Sequence, residues 1–202
     1  ELTGLTFRHI EAGFTNTPGT GIWATSMDVI WSRATNVTVQ SCWLHDAGRA
    51  VILTTSGMSG MLIESSVIER NGQAQIAMGY SPDEHSEIYA VHDNTNNLTI
   101  RWSYIRDWTS TGGVILFGSN RNFRFYGNVM SQATYTAVGF DANGAVNGLT
   151  TGSGNEAYVY NNTFVDIPHH ANLLTMGVFS VSEVRNNLFY NVRESTGAGV
   201  TI

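Results

Sequence analysis

Seven segments of this chain repeat one nine-residue pattern, and no other feature of the sequence limits the choice of fold as strongly. They are GLTFRHIEA from Gly4, NVTVQSCWL from Asn36, GMLIESSVI from Gly60, NLTIRWSYI from Asn97, NFRFYGNVM from Asn122, EAYVYNNTF from Glu156 and VSEVRNNLF from Val181. Apolar or small residues alternate at the second and fourth places, a small or polar residue tends to hold the seventh, and an apolar residue fills the ninth. Alternation of period two is the pattern of a strand with one buried face. The fourth-place column is Phe7, Val39, Ile63, Ile100, Phe125, Val159 and Val184, and the ninth-place column is Ala12, Leu44, Ile68, Ile105, Met130, Phe164 and Phe189. Both are expected to line a core.

The seventh-place column runs Ile10, Cys42, Ser66, Ser103, Asn128, Asn162 and Asn187. Its last three members are expected to form an asparagine ladder at a bend, each amide bonding the one stacked about 4.8 Å away and the local backbone. Short and long spacings between motifs alternate, which assigns the extra residues to loops on every second coil. A second strand series is expected at Arg49 to Ser56, Ala74 to Ser81, Gly112 to Ser119, Tyr135 to Ala142 and Leu174 to Val181. Sandwiches place turn signals every few residues without such a long repeat, whereas matched columns recurring over a few tens of residues favour a solenoid.

The expected fold is therefore all-β: one domain over residues 1–202, a single-stranded right-handed parallel β-helix of about seven coils, alternate coils carrying longer loops. Its hand follows from the general preference of parallel crossovers. The first residues already read as strand and Gly199 to Ile202 reads as another, so a piece of a longer solenoid is expected.

Charged residues make up only 13% of the chain, and all ten basic residues are arginine, which excludes a lysine base or Schiff base within it. The net charge of −6 argues against nucleic acid or an anionic membrane surface as partner, since both require a basic face. No apolar run is long enough to span a membrane. Cys42 is the sole cysteine, so neither an internal disulfide nor a thiolate metal cluster can form.

The NNTF (Asn161 to Phe164) and NNLF (Asn186 to Phe189) motifs, with the NVTV and NLTI strand openings, resemble the pectin-lyase-like right-handed β-helix superfamily. That resemblance implies a secreted protein facing extracellular carbohydrate: a polysaccharide lyase, hydrolase or epimerase, or an adhesin or tailspike. The chain carries neither the Asp-rich signatures of polygalacturonases nor the WIDH-type segment of pectate lyases.

Ionisable residues are densest in the longest excursion, Gly79 to Asn97, which holds Asp83, Glu84, His85, Glu87, His92 and Asp93. Paired carboxylates there suit general acid and base work on a glycosidic bond. Several oxygens together suit Ca²⁺, and His85 or His92 suits proton transfer. A solvated polar loop whose Asp and Asn cap turns accounts for the same residues. A charged column follows the ninth place, with His45-Asp46, Glu69-Arg70 and Arg106-Asp107 at equivalent positions. Stacking would set Asp46 beside Arg70 beside Asp107, and His45 beside Glu69 beside Arg106, either as a register-guarding ladder or as a groove in which Arg70 and Arg106 hold an acidic sugar.

Trp23, Trp43, Trp102, Tyr104, Trp108, Tyr126, Tyr158 and Tyr160 are expected to point outward or into turns, where flat ring faces suit sugars or pack under loops or against a neighbouring subunit. Three sequons, at Asn36, Asn97 and Asn161, fit the glycosylation pattern, and their Asn and Thr are also what strand starts need. The leading expectation is a secreted carbohydrate-active protein that binds, and by lyase or hydrolase chemistry cleaves, an extracellular polysaccharide. Its site would be Glu84, His85, Glu87, Asp93 and Arg106, with Arg106 or His85 as the base of a lyase and Ca²⁺ as its helper. The alternative is a non-catalytic filament or adhesin that self-associates through its ends or flanks.

Overall fold

The computed structural model describes residues 4–13, 28–47, 50–55, 57–71, 89–91, 95–108, 113–117, 120–132, 146–149, 156–170, 174–175 and 180–194. Among them there are strands and turns and no helix, hence none that could cross a membrane. The strands form three parallel sheets of seven, seven and six members. The first comprises Thr6–Arg8, Thr38–Gln40, Leu62–Glu64, Thr99–Arg101, Phe123–Tyr126, Glu156–Tyr160 and Val181–Arg185. The second comprises Glu11–Gly13, Trp43–His45, Val67–Glu69, Tyr104–Arg106, Val129–Ser131, Thr163–His170 and Leu188–Glu194. The third comprises Ile30–Ser32, Ile52–Thr54, Tyr89–Val91, Val114–Phe117, Val146–Leu149 and Leu174–Thr175. The chain visits the sheets in unbroken rotation, so neighbours within a sheet are always one circuit apart, as in a parallel solenoid. Coils are counted below from the first-sheet strands.

Each nine-residue motif is two strands rather than one. The sixth place, His9, Ser41, Ser65, Trp102, Gly127, Asn161 and Asn186, adopts positive φ in all seven coils and turns the chain from the first sheet into the second. Positive φ also holds at the first place of coils one to five and two residues after the ninth, at Asp46, Arg70, Asp107, Asp166 and Asn191. Asn, Asp and Gly tolerate this conformation best, which gives the three sequon asparagines a backbone reason to be where they are.

Both core columns form in full. In the first sheet Phe7 pairs with Val39, and the file continues through Ile63, Ile100, Phe125 and Val159 to Val184. In the second, Ala12 leads through Leu44, Ile68, Ile105, Met130 and Phe164 to Phe189. Their inner members are buried, and each contributes about 1.5–3 kcal/mol by leaving water. Phe189, in the last described coil, remains 40% exposed.

The ladder reaches beyond the three asparagines expected. Asn128 Nδ2 donates to Asn162 Oδ1 (3.2 Å) and to the Ile100 carbonyl (3.0 Å), and Asn162 Nδ2 donates to Asn187 Oδ1 (3.0 Å) and to the Phe125 carbonyl (2.9 Å). Asn187 Nδ2 reaches the Val159 carbonyl (3.0 Å). Upstream, the backbone N–H of Ser103 donates to Asn128 Oδ1 (3.0 Å), that of Ser66 to Ser103 Oγ (3.2 Å), and that of Cys42 to Ser66 Oγ (3.1 Å). The residue steps along this file, 24, 37, 25, 34 and 25, show the alternation of short and long coils directly. The difference arises between the second and third sheets: residues 14–29, 70–88 and 132–145 make long connections, while 46–51, 107–113 and 171–173 make short ones.

Two expectations need correction, and another falls partly outside the described residues. The stretch 79–97 is not one excursion, because Tyr89–Val91 is a third-sheet strand in register with Ile52–Thr54 and Val114–Leu116. Tyr89 is wholly buried, its hydroxyl donating to Thr54 Oγ1 at 3.2 Å. Tyr89 and Val91, both strand formers, outweigh the polar residues around them. The alternating stretches Ala74 to Ser81 and Tyr135 to Ala142 lie outside the described residues, and the third-sheet strands of those coils come later, at Tyr89–Val91 and Val146–Leu149. Trp108, expected outward or in a turn, is wholly buried, since an indole gains most by filling interior volume next to a corner.

Candidate functional site

Glu84, His85, Glu87 and Asp93 lie outside the described residues, as do Asp83, His92 and Trp23. The Ca²⁺ expectation rested on the loop carboxylates among them. Among the described residues no group of three His, Cys, Asp or Glu side chains is placed to hold a metal ion.

Arg106 is described, and it belongs to a network on the outer face of the second sheet where the long connections leave. His45, Glu69 and Arg106 occupy one register row, as the spacing implied. Glu69 is only 1% exposed, although it sits on an outward position. It accepts hydrogen bonds from the Trp43 indole (2.9 Å), from Arg70 and from Arg106. Arg70 also grips Asp46 through two bonds, at 3.0 and 2.8 Å. His45 Nδ1 lies 2.6 Å from Asp46 Oδ2, and its Nε2 is 3.4 Å from Glu11 Oε1. A Cβ on Gly13, the register partner of His45, would collide with the imidazole, so glycine is needed there. Arg106 stands 5.3 Å from the centroid of the Tyr104 ring, whose hydroxyl shares a 3.0 Å hydrogen bond with Ser131.

Charge in this network is balanced between neighbouring coils. Burial works against the ionised Glu69, but the hydrogen bonds from Arg106 and Trp43 and the two guanidinium charges outweigh it and hold the carboxyl below its ordinary value. Asp46 follows the same logic, with Arg70 and His45 overcoming its burial. The bond to Glu69 in turn makes the Arg106 guanidinium hold its proton more firmly.

A second array covers the outer face of the first sheet. Gln40, Glu64, Arg101, Tyr126, Tyr160 and Arg185 follow one another in a single register row. Glu64 accepts from Gln40 Nε2 (2.6 Å) and Arg101 Nε (2.8 Å), and Arg101 Nη1 donates to Tyr126 Oη at 3.0 Å. The Tyr126 and Tyr160 rings stack at 4.8 Å and 4°, so these two faces are covered by each other, not offered to solvent as expected. Arg185 caps the far side of Tyr160 at 4.7 Å. Trp102 stands at the edge of this row, 4.2 Å from the Arg101 guanidinium and perpendicular to Tyr126. The aromatic content of this face was legible in the sequence; its Glu64–Arg101–Tyr126 chain was not. The signal available was Trp102 itself, the one large aromatic in a corner column of His, Ser, Gly and Asn.

No protein-family model matches the chain, and neither a curated protein nor a solved structure matches it.

Proposed function

We propose that this chain is a right-handed parallel β-helix of the pectin-lyase-like kind, acting outside the cell and binding an extracellular polysaccharide along its flank. The hand is the one parallel crossovers favour. The superfamily assignment is supported by the NNTF and NNLF ladder motifs together with the three-sheet rotation. The observation that carries the binding reading is the file Arg101, Trp102, Tyr126, Tyr160 and Arg185 across coils four to seven. It spans three strand spacings, about 14 Å. A straight, rigid row of hydroxyls, guanidiniums and an indole suits a polymer that presents the same groups at regular intervals, because the ordering cost on the protein side was met on folding.

Cleavage, by elimination or hydrolysis, would fall to Glu84, His85, Glu87 and Asp93. Arg106 contributes as a cation in that scheme, because Glu69 makes loss of its proton harder. Gel-retardation assays with a panel of soluble plant, bacterial and fungal polysaccharides test binding, and release of reducing ends or unsaturated uronides tests cleavage. Retention on none of them would end the carbohydrate reading.

A second reading has one observation of its own. Leu188 and Tyr190, on the outer face of the second sheet, and Phe189 on its inner face are all exposed along its last described strand. An extracellular rod or adhesin that associates through this strand is the alternative, and sedimentation equilibrium of Leu188→Ser against the unaltered chain distinguishes it.

A further inference from the structure

We infer that Trp102 is a sugar-stacking subsite of the flank described above, taking the flat C–H face of a pyranose ring whose hydroxyls are equatorial; the inference rests on that polysaccharide reading.

The corner column at the sixth place favours small or polar residues for a physical reason. All seven of its members have positive φ, where a bulky side chain crowds the backbone. Trp102 is the exception, held at φ 52°. The next coil makes room for it: a Cβ on Gly127 would come within 2.7 Å of the indole Cδ1 and 3.1 Å of Nε1. One position thus departs from what a corner needs, and the glycine in the next coil, itself suited to positive φ, leaves the indole room. More than half of Trp102 nevertheless stays in solvent, 56% exposed, so the fold takes up only part of the ring. Backbone strain held at an exposed side chain points to a use outside the fold.

The ring is also held in place. The Arg101 guanidinium lies 4.2 Å from its centroid, and the Tyr126 ring meets it at 86° and 6.2 Å. Arg101 lies over one face of the indole, and Tyr126 and Tyr160 cover each other, so the exposed remainder of Trp102 is the open aromatic surface here. An aromatic face is electronegative and attracts polarised C–H groups. A pyranose with equatorial hydroxyls presents such a face unbroken, whereas an axial hydroxyl interrupts it. The Tyr126 hydroxyl and the neighbouring guanidiniums then stand at the rim as hydrogen-bond partners.

Titration calorimetry with β-1,4-linked glucose hexamers and β-1,4-linked mannose hexamers tests the subsite, because their residues differ only in the C2 hydroxyl, equatorial in the first and axial in the second. The glucose series is expected to bind about tenfold tighter, and Trp102→Asn to lose about tenfold in that affinity. Its thermal midpoint is expected to stay level or rise, because Asn suits the corner conformation. Trp102→Phe, keeping a flat ring, is expected to retain most of the binding. A Trp102→Asn protein that binds as the wild type does, or no preference between the two hexamers, overturns the subsite while leaving polysaccharide binding in place. Failure of the wild type to bind any member of the wider panel overturns both.

Discussion

Between the first and second sheets the chain turns in two residues in every coil, from His9-Ile10 to Asn186-Asn187, whereas the connection between the second and third sheets runs from residues 171–173 at its shortest to 70–88 at its longest. The contrast follows from where each corner sends its polar groups. At the first corner they point inward, where the side-chain amides of Asn128, Asn162 and Asn187 must satisfy one another and the buried backbone. An unmade bond in that place costs its full desolvation, so the length of the corner is held constant. At the second corner the charged groups lie on the outer face and pair as ions, Glu69 with Arg70 and Arg106, and Asp46 with Arg70, while Gln132 turns inward to the Trp108 carbonyl (2.6 Å). Extra chain there costs only loop-closure entropy, which grows slowly with length. One corner therefore defines the coil, and the other is free to carry chemistry.

The sharpest way to break this contrast is to lengthen the constant corner. One glycine inserted between Ser41 and Cys42 shifts every later residue of that coil out of register, and loss of cooperative folding in a urea titration is the expected result. Next in size is Asn162→Ala, which leaves the Phe125 carbonyl and the Asn128 N–H unpaired inside the corner. About 3 kcal/mol of unfolding free energy should be lost, read from the denaturant midpoint at constant slope. At the second corner Glu69→Ala should cost about 2 kcal/mol, less than a fully buried pair because both guanidiniums keep a third or more of their surface in solvent.

The same carboxylates set an acid limb. Asp46 and Glu69 are held below their ordinary 3.8 and 4.5, so their contribution is complete above those values and is lost as pH falls toward the depressed folded-state ones. Stability should be level down to about pH 5 and then decline, with a shallower decline in Glu69→Gln. Smallest of all is a two-glycine insertion within 133–145, expected to cost a few tenths of a kcal/mol. A large loss from that insertion would mean that the second corner is as length-constrained as the first.

How much of this was legible beforehand depends on how far apart the interacting residues are and how simply they repeat. The files headed by Phe7 and Ala12, and the asparagine ladder, were readable because identical columns recur in each coil. The pairing of His45, Glu69 and Arg106 was readable too, since it follows from the same register. The turn at the sixth place was hidden, because Ser41 or Trp102 in positive φ leaves the two-residue alternation around it intact. The strand Tyr89–Val91 was hidden as well, its three residues enclosed by acidic and polar neighbours that suggest a loop. The burial of Trp108 depended on neighbours that no local pattern names.

The order of the chain alone determined which residues share a column, because a parallel stack places equivalent positions of successive repeats next to each other. The tertiary structure decided where each coil bends, which strand completes the longest one, and that a single carboxylate, Glu69, is shared by two arginines from different coils. Those outcomes depend on backbone conformation and on several partners meeting at one point, and a one-dimensional pattern contains neither.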